Sequence, residues 1–125
     1  MTPVASKPTP KACYLAGPMR HRGKAVTEAK FAAAAATLRG RGWTVYVPKV
    51  DEADGFAGRR DTVERDIGMV LKLKAENGDA IVLLSGWQLS RGVRAELAVA
   101  QWLGLRALLL EEALEEQAGD KEVPE

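Results

Sequence analysis

The chain has 125 residues, enough for one hydrophobic core and too few for two, and its 46% apolar and 28% charged residues are the balance of a folded domain rather than a disordered one. A net charge of +1 leaves no basic surplus with which to hold polymeric nucleic acid or a membrane surface. Cys13 and His21 are the only residues of their types, so no Cys/His metal site can be assembled, and no metal or other cofactor is expected.

Residues 1–11 contain Pro3, Pro8 and Pro10, show no periodicity and lack the apolar stretch of a signal peptide; they read as a flexible arm on a cytoplasmic protein. No apolar run approaches the ~20 residues of a membrane-spanning helix. Ala12–Gly17 reads as a buried strand, with Cys13 as a buried thiol, and Gly17-Pro18 stops it. An Ala-rich segment from Lys24 to Arg39, with Phe31, Ala35 and Leu38 at helical spacing, predicts a helix ended by Gly40 and Gly42. Trp43–Val47 is a strand closed by Pro48, and residues 49–58 form a polar, Gly-containing loop. A helix over Arg59–Ala75 follows, with Val63, Ile67, Val70 and Leu71 along one face, and then an Asn77-Gly78 turn.

Ala80–Leu84 has the continuous apolar character of a strand buried on both faces. Ser85–Leu89 is a loop, and Ser90 is placed to cap a helix over Arg91–Leu103 that Gly104 stops. Leu105–Leu110 is a fourth apolar run, and 111–125 is an acidic tail with a helical turn or two at most. The order β-α-β-α-β-α-β predicts one α/β domain over 12–110: a Rossmann-like or flavodoxin-like doubly wound parallel sheet of four to five strands, with helices on both faces. Ligands bind such sheets beyond the carboxyl ends of the strands, which here are Gly17–Arg20, Pro48–Gly58 and Ser85–Ser90.

Two acids stand out. The helical neighbours of Glu96 are Gly92, Val93, Val99 and Ala100, and those of Asp66 are Thr62, Val63, Met69 and Val70. A carboxylate on an apolar stripe is costly unless it is paired, hydrogen-bonded or protonated. Either acid could cap a neighbouring loop; two together could line one pocket suited to glycosidic cleavage, one as nucleophile and one as proton donor. Ser90-Arg91-Gly92 opens a helix straight after a strand loop, where free N–H groups and the helix dipole favour phosphate, although an ordinary cap reads the same way. Gly17-Pro18-Met19-Arg20 lies at the adjacent strand end and adds a guanidinium. Neither segment matches a dinucleotide or P-loop pattern. Tyr14, the polar side chain of the first strand, is either a core tyrosine or part of the pocket. Trp87 could stack a base or cover the core edge.

Tyr14-Leu-Ala-Gly17-Pro18-Met19, Arg65-Asp66-Ile67 and Ser90-Arg-Gly92-Val93-Arg-Ala-Glu96-Leu97-Ala-Val-Ala100 together resemble the nucleoside 2-deoxyribosyltransferase superfamily over about residues 12–110. The resemblance implies Glu96 as nucleophile, Asp66 in proton transfer to or from the base, and Tyr14 positioning the nucleophile. Ser90 stands where transferases acting on free nucleosides carry an aspartate. In this it is similar to the 2′-deoxynucleoside 5′-phosphate N-hydrolases and the CMP-hydrolase-like branch, and the Gly17-x-x-Arg20 spacing resembles that branch's phosphate loop. The Leu84-Ser85-Gly86-Trp87 loop is similar to small superfamily domains without an assigned activity. What the resemblance implies is a nucleotide N-glycosidase binding its substrate through Gly17, Met19, Arg20, Trp87, Ser90 and Gly92, working as a homodimer or larger assembly. Base exchange, or a nucleotide-sensing module with little turnover, are the alternatives.

Overall fold

A computed structural model of the chain describes residues 9–19, 23–49 and 56–119, with the side chains of 56–59 excepted. Most of the expected N-terminal arm (1–8), Arg20 and His21, much of the loop after the second strand (50–55) and the chain from Asp120 onward lie outside the described residues.

The elements run β1 (Ala12–Ala16), α1 (Lys24–Gly40), β2 (Thr44–Tyr46), α2 (Phe56–Leu71), a 3₁₀ turn (Ala75–Asn77), β3 (Ala80–Leu83), a second 3₁₀ turn (Trp87–Leu89), α3 (Arg91–Trp102), β4 (Arg106–Leu109) and α4 (Leu110–Leu114). Among the described residues the four strands form one parallel sheet in the order β2-β1-β3-β4. It is the Rossmann-like α/β layout that the continuous apolar runs predict.

The period of two along each strand sorts the core into two layers. Cys13, Leu15, Ala80 and Val82 face α1 and α4, packing on Phe31, Ala35, Leu38 and Ala113. Tyr14, Ala16, Ile81 and Leu83 face α2 and α3, packing on Val70, Val93 and Ala100. Cys13 is fully buried, and burial foremost, with the Asp79 charge second, pushes its thiol up to about 12. Since β1 leads out to β2 on one side while β3 lies on its other side, the sheet's switch point falls between the carboxyl ends of β1 and β3. There Gly86, at φ +87°, makes a left-handed turn, and a Cβ on it would come within 3.3 Å of Pro18 Cγ.

Three expectations are corrected. The second helix begins at Phe56 rather than Arg59 and ends at Leu71 rather than Ala75, so residues 56–58 are helical and not loop. It stops because Leu73 turns into the core and the Lys74 N–H is taken by Asp79 Oδ2 at 2.8 Å. Asp66 consequently lies past the middle of its helix. The fourth apolar run is an edge strand: Leu105 is buried, yet Arg106, Ala107 and Leu109 are exposed. Lastly, the segment after 110 is not a loose tail throughout. Ala113 and Ala118 are buried in the α1-side core, Lys11 and Ala118 share a backbone hydrogen bond of 2.9 Å, and Glu116 binds Lys11 at 2.6 Å and Arg106 at 3.0 Å. The acidic composition hid two alanines at docking positions.

Candidate active site

The even-numbered alternation of β1 points Tyr14 at the α2–α3 layer, where its phenol is fully buried. Its hydroxyl donates to Glu96 Oε2 at 2.7 Å, a length typical of a hydrogen bond to a carboxylate. Glu96 is in the second turn of α3, with apolar Val93 and Ala100 beside it, and is 8% exposed. Burial foremost raises its pKa to about 7; the Tyr14 hydrogen bond opposes that, and the nearby Asp66 charge adds to it. For Tyr14 too, burial is the largest cause of a raised pKa, followed by the charges of Glu96 and Asp66, so the phenol stays protonated.

Asp66 reaches the same layer from α2 and is 4% exposed. The Arg65 guanidinium lies beside it, Nε donating to Asp66 Oδ1 at 3.2 Å, while its Nη2 donates to the Lys49 carbonyl at 3.2 Å. Arg65 thus ties the end of β2 to an acid on α2. Sequence reasoning gave Arg65 no role because a surface arginine beside an aspartate is ordinary; only the folded chain shows its second contact, with Lys49. An unpaired buried carboxylate costs several kcal/mol, a large fraction of the ~5–15 kcal/mol that holds a small domain together. Two acids on one layer of so small a core, with only partial compensation at Glu96, mark this cluster as the candidate site.

The remaining candidates fall around this cluster in different ways. Trp87 is half-buried and packs against the same core layer as Tyr14. Ser90 caps α3, its Oγ accepting the Val93 N–H at 3.3 Å. Gly92 is exposed, and a Cβ there would meet only Ser90 Oγ, at 3.9 Å, so space is open in front of the helix's first turn. Gly17 is buried, and its lack of a side chain is used in packing, because a Cβ would sit 3.0 Å from Leu84 Cβ. Met19 packs against the opposite, α1-side core layer. Arg20 lies outside the described residues.

Two clefts flank α1. One of about 490 Å³ is bounded by Lys24, Phe31, Arg39, Val47 and Lys49, and one of about 290 Å³ by Pro18, Thr27, Lys30, Ser85, Gly86 and Leu89 at the switch point. Neither is lined by Tyr14, Asp66 or Glu96. Among the described residues no group of three or more potential metal ligands occurs, and no helix is long and apolar enough to cross a membrane.

No curated protein matches the chain. A family model described as "Domain of unknown function (DUF4406)" matches residues 11–109, a stretch that holds all four strands and α1 to α3. With the match covering well over half of its residues, the chain belongs to the DUF4406 family.

Proposed function

We propose that this protein hydrolyses the N-glycosidic bond of a (deoxy)nucleoside 5′-monophosphate to free base and (deoxy)ribose 5-phosphate. The observation that carries the reading is the buried Glu96 carboxyl, held by the Tyr14 hydroxyl at 2.7 Å and electrostatically coupled to a second buried acid, Asp66. In the reactive form Glu96 is ionised and Asp66 carries a proton. Tyr14 holds Oε2, and Oε1 attacks C1′; the C1′–N bond breaks, its electron pair goes to the base nitrogen, and Asp66 supplies the proton. Asp66, now a carboxylate, takes a proton from water, whose oxygen attacks C1′ and releases Glu96. Nucleotide and one water become base and sugar phosphate.

The 5′-phosphate is read by the first turn of α3. Ser90 and the open approach at Gly92 present N–H groups and a hydroxyl at the positive end of the helix. The test is to incubate the protein with a panel of nucleoside monophosphates and deoxynucleoside monophosphates, and with the matching nucleosides, and to assay free base by chromatography. Release of base from at least one nucleotide, with the unphosphorylated nucleoside turned over at least about tenfold less efficiently, is expected, since one charge-assisted phosphate bond is worth about 1.5–3 kcal/mol. A panel without base release refutes the hydrolase reading.

A further inference from the structure

We propose that Arg65 is a positioning residue: it pins Asp66 Oδ1 from α2 and, by its other end, the Lys49 carbonyl at the end of β2, so that the transferable proton of Asp66 is confined to Oδ2. The inference rests on the glycosidase reading for its catalytic consequence, and on hydrogen-bond geometry for its structural one.

The two contacts come from one planar guanidinium. Nε donates to Oδ1 at 3.2 Å and Nη2 donates to the Lys49 carbonyl at 3.2 Å. A guanidinium is always protonated and donates only. The oxygen it faces must therefore accept, and when Asp66 is a neutral acid its hydrogen sits on the other oxygen. Fixing both ends of the guanidinium also holds Oδ1 in place, since Arg65 itself cannot swing without breaking the Lys49 contact. Lysine, a point charge with no fork, could keep one of these contacts and not both. Arg65 and Asp66 from α2 act electrically on Tyr14 from β1, and Asp66 acts on Glu96 from α3. The Arg65 side chain is 33% exposed, so it can be changed without opening a hole in the core.

The experiment compares wild type, R65A and R65K in two measurements. The first is a ¹³C titration of the Asp66 and Glu96 carboxyl groups, which needs no substrate. In R65A the apparent pKa values of the pair should rise by roughly one unit or more, the usual effect of losing an opposite charge within hydrogen-bond distance. The second compares turnover of a nucleotide with that of a p-nitrophenyl (deoxy)riboside 5-phosphate, whose leaving group needs no proton. R65A should lose roughly 10²-fold in kcat on the nucleotide, the lower range for a misaligned general acid, with KM within threefold, and should lose little on the nitrophenyl substrate. R65K should titrate near wild type yet fall on the R65A side in nucleotide turnover. Carboxyl titrations that overlay for wild type and R65A overturn the proposal, and so does an R65K protein with wild-type turnover. Should wild type cleave neither substrate, the glycosidase reading falls, and the titration alone decides whether Arg65 governs Asp66. If R65A does not fold, R65Q, which removes the charge and keeps most of the side chain, takes its place in both measurements.

Discussion

Asp79 and Glu96 are both buried acids, 4% and 8% exposed, one at the amino edge of the sheet and one on the helix layer above it. Asp79 immediately precedes β3 at its amino end, and its carboxylate accepts from the Ala12 N–H at 2.8 Å, the Lys74 N–H at 2.8 Å and the Asn77 amide at 3.0 Å. Glu96, over the middle of β1, accepts among the described residues from the single Tyr14 hydroxyl at 2.7 Å, with another acid near it. The number and sign of the neighbours separate the two. Asp79 gathers backbone N–H donors from β1 and from Lys74 after α2, and the Asn77 side-chain amide from the turn before β3, and so staples the amino edge. Glu96 is held poised, at a cost that stability alone does not repay.

The largest expected effect is at Glu96. Glu96→Gln keeps the shape and an acceptor for Tyr14 but removes the proposed nucleophile, and on the hydrolase reading should lower nucleotide turnover on the order of 10³-fold or more. Its melting temperature should be no lower than wild type at neutral pH. A large loss of stability with activity retained would exchange the roles assigned to the two acids.

Asp79→Ala should behave in the opposite sense. It leaves three donors at the amino edge without their acceptor, which should cost about 3 kcal/mol of folding stability by urea titration. Turnover per folded molecule should stay within about twofold, since the substitution touches none of the reacting groups.

The pH dependence of stability sharpens the contrast. The folded-state pKa of Glu96, about 7, lies above its ordinary value of 4.5. Between these values the folded protein binds more protons than the unfolded chain, so this group's contribution to stability falls as pH rises from 4.5 through about 7 and is constant above. The total is on the order of 3 kcal/mol. Unfolding free energies of wild type minus Glu96→Gln, measured from pH 4 to 8, should show this decline, and a flat difference would mean Glu96 is not desolvated. The subtraction removes the opposing contribution of Glu116, where burial is outweighed by hydrogen bonds from Lys11 and Arg106 that hold its carboxyl below the usual range.

The smallest effect is expected from Tyr14→Phe. The Tyr14 hydrogen bond lowers the Glu96 pKa, so its loss should move the acid limb of activity to higher pH by about one unit and reduce turnover at pH 7 by about fivefold. A pH profile identical to wild type would show that the 2.7 Å contact has no part in setting the charge of Glu96.

Much of this was legible without coordinates, for identifiable reasons. Glu96 and Asp66 announced themselves because four apolar helical neighbours, or nearly four, cannot surround a solvated carboxylate. Ser90 was readable as a cap because capping is local to one turn. Asp79 was not noticed: it follows an Asn-Gly turn in which an aspartate is unremarkable, and its donors come from residues 5 and 67 positions away. Arg65 was given no role for a similar reason, its second contact being with Lys49, 16 positions back.

The sequence by itself determined the α/β class, the strand and helix order and the two suspect acids, because each of these depends on periodicity within a few residues. Tertiary structure alone decided that Tyr14 meets Glu96 across 82 positions of chain, that β4 is an exposed edge, and that Ala113 and Ala118 dock the segment after the sheet. It also placed Met19 and the acid cluster against opposite core layers. Which face a strand residue takes and which strand becomes an edge follow from how the whole sheet is paired and covered, and no local pattern carries that information.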